Sequence, residues 1–273
     1  MPREFLTMPR VRAHWSLLVS TRQALREAVP WAYQAITSEP EAFFAGGVAP
    51  DAIRLFAGVD KLASHFYDDR DPSTWKTEVV LDAFLGRGFH GVAPASDHAS
   101  RAWCLGYLSH VFADVANWTY LQSHLPPFPA ERGAHHGVWL IADQLPVSDA
   151  DRILDVSRVP WQSAPPWVNP AAARRLLSAL VTRVLTQHDP WLAEATYVRH
   201  DRDLMQAEPL NLPPTGSPDP QLVALRDRHL PEWQLSIDRA KELVPSDAWV
   251  RFEAAAVAGS VEAIREFGRR LGA

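Results

Sequence analysis

His110 and Asp114 stand four residues apart in the segment GYLSHVFADVANW. On a helix this spacing places both side chains on one face, with Cβ atoms about 5–6 Å apart, so an imidazole and a carboxylate can converge on one metal ion. The same spacing occurs on many solvated helix faces, and the surroundings must separate the two cases. Trp103, Cys104, Leu105, Tyr107, Leu108, Val111 and Phe112 flank the pair on every side, which predicts a buried helix. A carboxylate or imidazolium buried there needs a partner, because an uncompensated interior charge is costly. Gly106, one turn before His110, costs about 1 kcal/mol inside a helix and points to something packed closely against its backbone.

Three further polar residues upstream occupy apolar settings. His14 lies beside Trp15 at the start of the first predicted helix. Asp51 follows a turn made by Gly46-Gly47 and Pro50 in FFAGGVAPDAIRLFAG, and enters a short helix where an acid also suits the helix dipole. His65 lies in KLASHFYDD, ahead of an acidic tract of Asp68, Asp69 and Asp71 that reads as solvated loop. Taken one at a time, each is read more readily as structural than as functional.

Taken in order, His14, GGVAPD, SHFYDD and LGYLSHVFAD resemble the zinc-dependent phospholipase C family and, more distantly, the fungal single-strand nucleases of the same fold. The resemblance covers residues 8–145. It implies that Asp51, His65, His110 and Asp114 hold one zinc, and that Asp114 bridges to a second zinc that His14 also binds. It further implies Asp51 as the general base that takes a proton from an attacking water. Imidazole and carboxylate without thiolate suit a catalytic zinc better than a structural one. Two zinc ions are expected, or three if His136 contributes to another site.

The third site departs from the family pattern. The histidine expected six residues after the bridging aspartate is Tyr120 here, and the loop carries His124 instead. His135 and His136 are followed four residues later by Trp139 and Leu140, which cannot ligate a metal. Asp143, seven residues after His136, lies about 10.5 Å further along a helix, too far for a simple chelating pair. The family's processed N-terminal ligand is also in question, since Met1 to Ala13 precede His14.

The elements that must position these residues are helical by periodicity. Apolar spacing predicts helices over 13–29, 73–86, 97–122, 134–145, 171–187 and 246–270, with Ser148 and Asp151 forming a capping box for another. Pro-rich loops at 159–168 and 209–220 are each followed by a helix start, signalled by Asn169-Pro170 and Asp219-Pro220. No alternating strand pattern or Asn-Gly hairpin signal is present. The predicted fold is all-α: a multi-helix bundle of the zinc-dependent phospholipase C type with a helical C-terminal extension. Residues 1–158 form the metal-binding region, and 159–273 pack on it as part of one domain.

Composition narrows the function classes. Twenty-seven Lys+Arg against 32 Asp+Glu give a net charge of −5, which argues against a nucleic-acid partner. With 47% hydrophobic and 22% charged residues the chain reads as globular, and one cysteine precludes an internal disulfide. The N-terminal stretch has no signal-peptide core, and no segment approaches the roughly 20 apolar residues of a membrane span. These features point to a cytoplasmic protein without stable membrane insertion, acting on a small molecule. Cys104 reads as a buried inert thiol, and His188, His200 and His229 as surface residues. Trp161, Trp167 and Phe128 read as loop anchors more readily than as pocket walls. Phosphate-binding glycine loops, a nucleophile elbow and a dinucleotide fingerprint are absent.

The function expected from this combination is a zinc-dependent hydrolase in which a metal-activated water attacks a phosphodiester or phospholipid-like small substrate. One competing expectation is a metal-dependent lyase, cyclase or non-phosphoryl hydrolase of small-molecule secondary metabolism on the same scaffold. Another is a non-catalytic helical binding protein.

Overall fold

The computed structural model describes residues 11–51, 61–86, 98–127, 130–144, 191–192, 194–195 and 219–272. Helices α1 (Val11–Ala28), α2 (Pro30–Ser38) and α3 (Pro40–Gly46) follow one another closely. Pro30 and Pro40 open α2 and α3 at the first turn, where the missing N–H would have had no intrahelical partner. The short α4 (Lys61–His65), α5 (Thr77–Gly86), the long α6 (His98–Tyr120) and α7 (Arg132–Ala142) complete the first region. From the C-terminal part come α8 (Pro220–Leu243) and α9 (Ser246–Leu271). No strand occurs among the described residues, so the all-α expectation holds there. No described helix is long and apolar enough to cross a membrane.

The segment 73–86 is not one continuous helix. Asp71 caps a 3-10 turn over Pro72–Trp75 by accepting from the Ser73 backbone N–H at 3.0 Å, and Lys76 is extended before α5 begins. The apolar spacing of Trp75, Val79 and Val80 spans this break because periodicity does not register a local Asp-Pro-Ser turn. Asp219 caps α8 as its sequence predicts, with its carboxylate accepting from Gln221 N–H at 2.8 Å. The capping box at Ser148, the loop 159–168, the helix 171–187, and Phe128, Trp161, Trp167, His188 and His200 lie outside the described residues.

Helix α6 is the axis of the bundle. It is buried on all faces over most of its length, as its all-round apolar sequence requires. Helices α1, α2, α3 and α9 pack against it, while α8 packs along α7. The C-terminal helices therefore sit directly on the helices of the first region. Trp15, Phe43, Phe44, Trp103, Tyr107 and Phe267 share the main apolar cluster, so the far end of the chain closes the core begun by the first helices.

The contact of α3 with α6 has almost no spacer. A Cβ on Gly106 would overlap the Phe43 carbonyl and lie 2.8 Å from the Gly47 nitrogen, and one on Gly46 would overlap the Trp103 carbonyl. This explains why the helix tolerates Gly106 one turn before His110. Gly106→Ala should destabilise the protein by about 1–3 kcal/mol, the usual range for overpacking, as read by urea unfolding. Wild-type stability in that variant would contradict this packing.

Candidate metal centre

Four separate segments converge near the middle of α6. His14 comes from the first turn of α1, and Asp51 from residues 49–51, which are helical again after the Gly47–Val48 turn. His65 ends α4, while His110 and Asp114 come from α6. His65 Nε2 lies 3.4 Å from Asp51 Oδ1 and 3.5 Å from Asp114 Oδ2. His110 Nε2 lies 3.9 Å from both Asp51 Oδ1 and Asp114 Oδ2. His14 Nε2 is 3.5 Å from Asp114 Oδ1. Two overlapping groups, His14/His110/Asp114 and Asp51/His65/His110, each bring three donor atoms within 4.8 Å of one another.

The hydrogen bonds behind the rings settle which nitrogens face inward. His110 Nδ1 is 2.7 Å from the Gly47 carbonyl, which can only accept, so Nδ1 carries the proton and Nε2 presents a lone pair. The Ser64 hydroxyl pairs with His65 Nδ1 at 2.7 Å and lies 3.4 Å from the Lys61 carbonyl. His65 Nε2 faces inward as well, 3.3 Å from His110 Nε2. The two Nε2 atoms and the two carboxylates are crowded into one buried place, an arrangement that a metal cation among them would stabilise. Both ring nitrogens of His14, Asp51 Oδ1 and Asp114 Oδ1 are buried without a hydrogen bond among the described residues. Buried polar atoms are nearly always satisfied, and this donor set suits a divalent metal.

Local structure makes these placements rigid. Phe66, directly after His65, adopts φ 66°, a left-handed conformation that costs a bulky residue about 1–2 kcal/mol. It ends α4 sharply, buries the Phe66 ring against Phe84 and Tyr107, and lets His65 and Tyr67 both face inward. The Tyr107 hydroxyl donates to the Ser64 carbonyl and ties α4 to α6. His14 stacks on His110 with centroids 3.6 Å apart and planes 12° from parallel. Burial, then the neighbouring His110, lowers the His14 pKa to about 3, so the ring is neutral and available as a ligand.

Asp114 has no solvent contact. Burial pushes its carboxyl pKa up, but Lys61 and the three surrounding histidines outweigh that and hold it below the ordinary carboxylate range. Lys61 Nζ lies 3.2 Å from Oδ2, and the Tyr67 hydroxyl donates to the same oxygen at 3.0 Å. Burial and the adjacent Asp114 charge raise the Tyr67 phenol well above its ordinary pKa, so it remains a donor.

His136 is not brought into either group. It is partly exposed, and its Nε2 faces the buried Glu194 carboxylate at 3.3 Å. His135 is structurally committed, with Nε2 donating to the Pro126 carbonyl at 2.9 Å and Nδ1 paired with the Gln122 side chain. Tyr120 packs beside the apolar cluster around Leu121. Asp143 plays a part that its spacing from His136 does not suggest. Its carboxylate accepts from Ala13 N–H at 3.0 Å and its carbonyl accepts from Arg12 Nε at 3.1 Å, fixing the start of α1 and hence His14. Lys61, Tyr67 and Asn117 belong to none of the expected ligand sets. Asn117, three residues after Asp114, is buried with neither amide atom partnered among the described residues. The spacing of Lys61 four residues before His65 could have exposed its role, because both then share one helix face.

No protein-family model matches the chain, and no curated protein or solved structure matches it either. The geometry alone generates a test. Tyr67→Phe removes a donor from a buried carboxylate, so the chelator-treated protein should lose about 1.5–3 kcal/mol in urea unfolding. An unchanged unfolding midpoint would show that Tyr67 does not support Asp114.

Proposed function

We propose that this protein is a zinc-dependent hydrolase of the phospholipase C type, acting on a phosphodiester or phospholipid-like small substrate. The observation that carries this reading is the convergence of His14, Asp51, His65, His110 and Asp114 from four segments, with the imidazole Nε2 atoms turned toward the carboxylates. Asp51, His65 and His110 would hold zinc on one side of the site; His14, Asp114 and His110 form the overlapping group on the other. Zinc in such a site supplies Lewis acidity and lowers the pKa of water.

The chain's own residues perform the remaining tasks. Asp51 is the most exposed of the five, with 14% of its side chain accessible against 1% or less for the other four. It is therefore the one placed to meet an incoming water, and its carboxylate accepts the proton as water attacks phosphorus. The Gly47 carbonyl holds His110 with Nε2 inward, and the Ser64 hydroxyl fixes the orientation of the His65 ring. Lys61 and the Tyr67 hydroxyl keep Asp114 ionised and fixed. Without a cation, two carboxylates would repel a phosphodiester anion, so metal binding and this substrate class belong together.

Elemental analysis of the purified protein should find stoichiometric zinc, lost in a His110→Ala/Asp114→Ala variant that still shows helical circular dichroism. Metal-free wild-type protein that takes up no added zinc would overturn the reading. With zinc bound, the protein should hydrolyse a chromogenic phosphodiester, and Asp51→Asn should lower kcat by at least about a hundredfold. Bound zinc without turnover would move the site to carbonyl or C–O chemistry, as in a lyase or cyclase.

A further inference from the structure

Lys61 brings an ammonium into a cluster otherwise made of imidazoles and carboxylates. Its side chain is 8% exposed, with Nζ 2.9 Å from Asp69 Oδ1 and 3.2 Å from Asp114 Oδ2. The ammonium also lies 4.7 Å from the Tyr67 ring centroid and 5.7 Å from that of Trp118. A buried ammonium is expensive unless it is paired. Two carboxylates and two aromatic faces hold this one in place.

We propose that Lys61 is a resident cation on Asp114, its charge standing beside the carboxylate that a second divalent ion would share and so limiting how many ions the centre holds. The proposal rests on the metal-centre reading above. Asp114 Oδ2 accepts from the Tyr67 hydroxyl and has the Lys61 ammonium 3.2 Å away. Oδ1, on the His14 side, lies 3.5 Å from His14 Nε2 and has no hydrogen bond among the described residues. His110 has Nδ1 engaged by the Gly47 carbonyl and offers one nitrogen, although both candidate groups require it. Once His110 serves Asp51 and His65, the other group keeps only His14 and Asp114 Oδ1. A divalent ion there would also face the charge of Lys61 at close range in a poorly solvated site. The centre therefore takes one ion tightly, at Asp51/His65/His110, and resists a second.

A purely structural role for Lys61, neutralising Asp114 so that α4 can pack on α6, makes a different prediction, because removing the lysine would then not improve metal binding. The test is calorimetric zinc titration of the full chain after chelator treatment, comparing wild type with Lys61→Met, Lys61→Gln and Lys61→Arg. Thermal unfolding with and without zinc accompanies it. Wild type should bind one ion tightly. The Met and Gln variants should gain a second ion, or bind the weaker one at least tenfold more tightly, and zinc should raise their Tm more than it raises that of wild type. Lys61→Arg should keep the wild-type pattern.

Unchanged or weaker zinc binding in the Met and Gln variants would overturn the role of Lys61 while leaving the metal centre standing. Two equally tight ions in wild type would overturn it as well. A wild type that binds no zinc would remove the metal centre and this inference together. If the neutral variants do not refold without metal, zinc content after refolding in zinc carries the same comparison: more zinc than wild type supports the role, and equal or less overturns it.

Discussion

A carboxylate sealed from water at Asp114 is the constraint on which the rest of the structure depends. An ionised acid in that position is tolerable only if positive charge and donors surround it. The fold supplies a tyrosine hydroxyl and an ammonium, and sets three imidazoles around it, from its own helix and two other segments. Both ring nitrogens of His14, Asp51 Oδ1 and Asp114 Oδ1 still lack a hydrogen bond among the described residues, so buried polar atoms outnumber their partners. A metal cation resolves that imbalance, and the proposed chemistry follows from it.

The bundle is arranged so that these groups cannot drift apart. Helix α6 carries His110 and Asp114 on a face that α1 and α3 close from one side, while α9 packs on α6 from the far end of the chain. The backbone contact made possible by Gly46 and Gly106 brings α3 against α6 and sets the Gly47 carbonyl against His110. Asp143, on the turn after α7, fixes the first turn of α1 and therefore the ring that stacks on His110. Each contact links packing to the orientation of a ligand atom. This is how a rigid scaffold preorganises a site.

The parts of this that are legible in the sequence are those governed by short-range spacing. His110 and Asp114 share a face because they are four apart, and the apolar run around them predicts the burial that is observed. Gly106 signals a close approach, and the Phe43 carbonyl supplies it. The helical class follows from periodicity, although the Asp71–Lys76 turn escapes that signal. Pairings across long sequence separations that lie outside the motif order of His14, Asp51, His65, His110 and Asp114 are not legible. Asp143 looks like a failed chelating partner for His136, yet it binds the backbone of Ala13, 130 residues away. Glu194 meets His136 from a stretch with no periodicity to read. Lys61 was visible in principle, four residues before His65, but a lone lysine is ordinarily solvated and only the fold reveals it among carboxylates.

X-ray absorption at the zinc edge of the loaded protein tests the central claim most directly. A first shell of nitrogen and oxygen alone at about 2.0–2.2 Å, with the outer-shell scattering of imidazole, is the result this account predicts. A sulfur scatterer at about 2.3 Å, or an oxygen-only shell without imidazole, would contradict it.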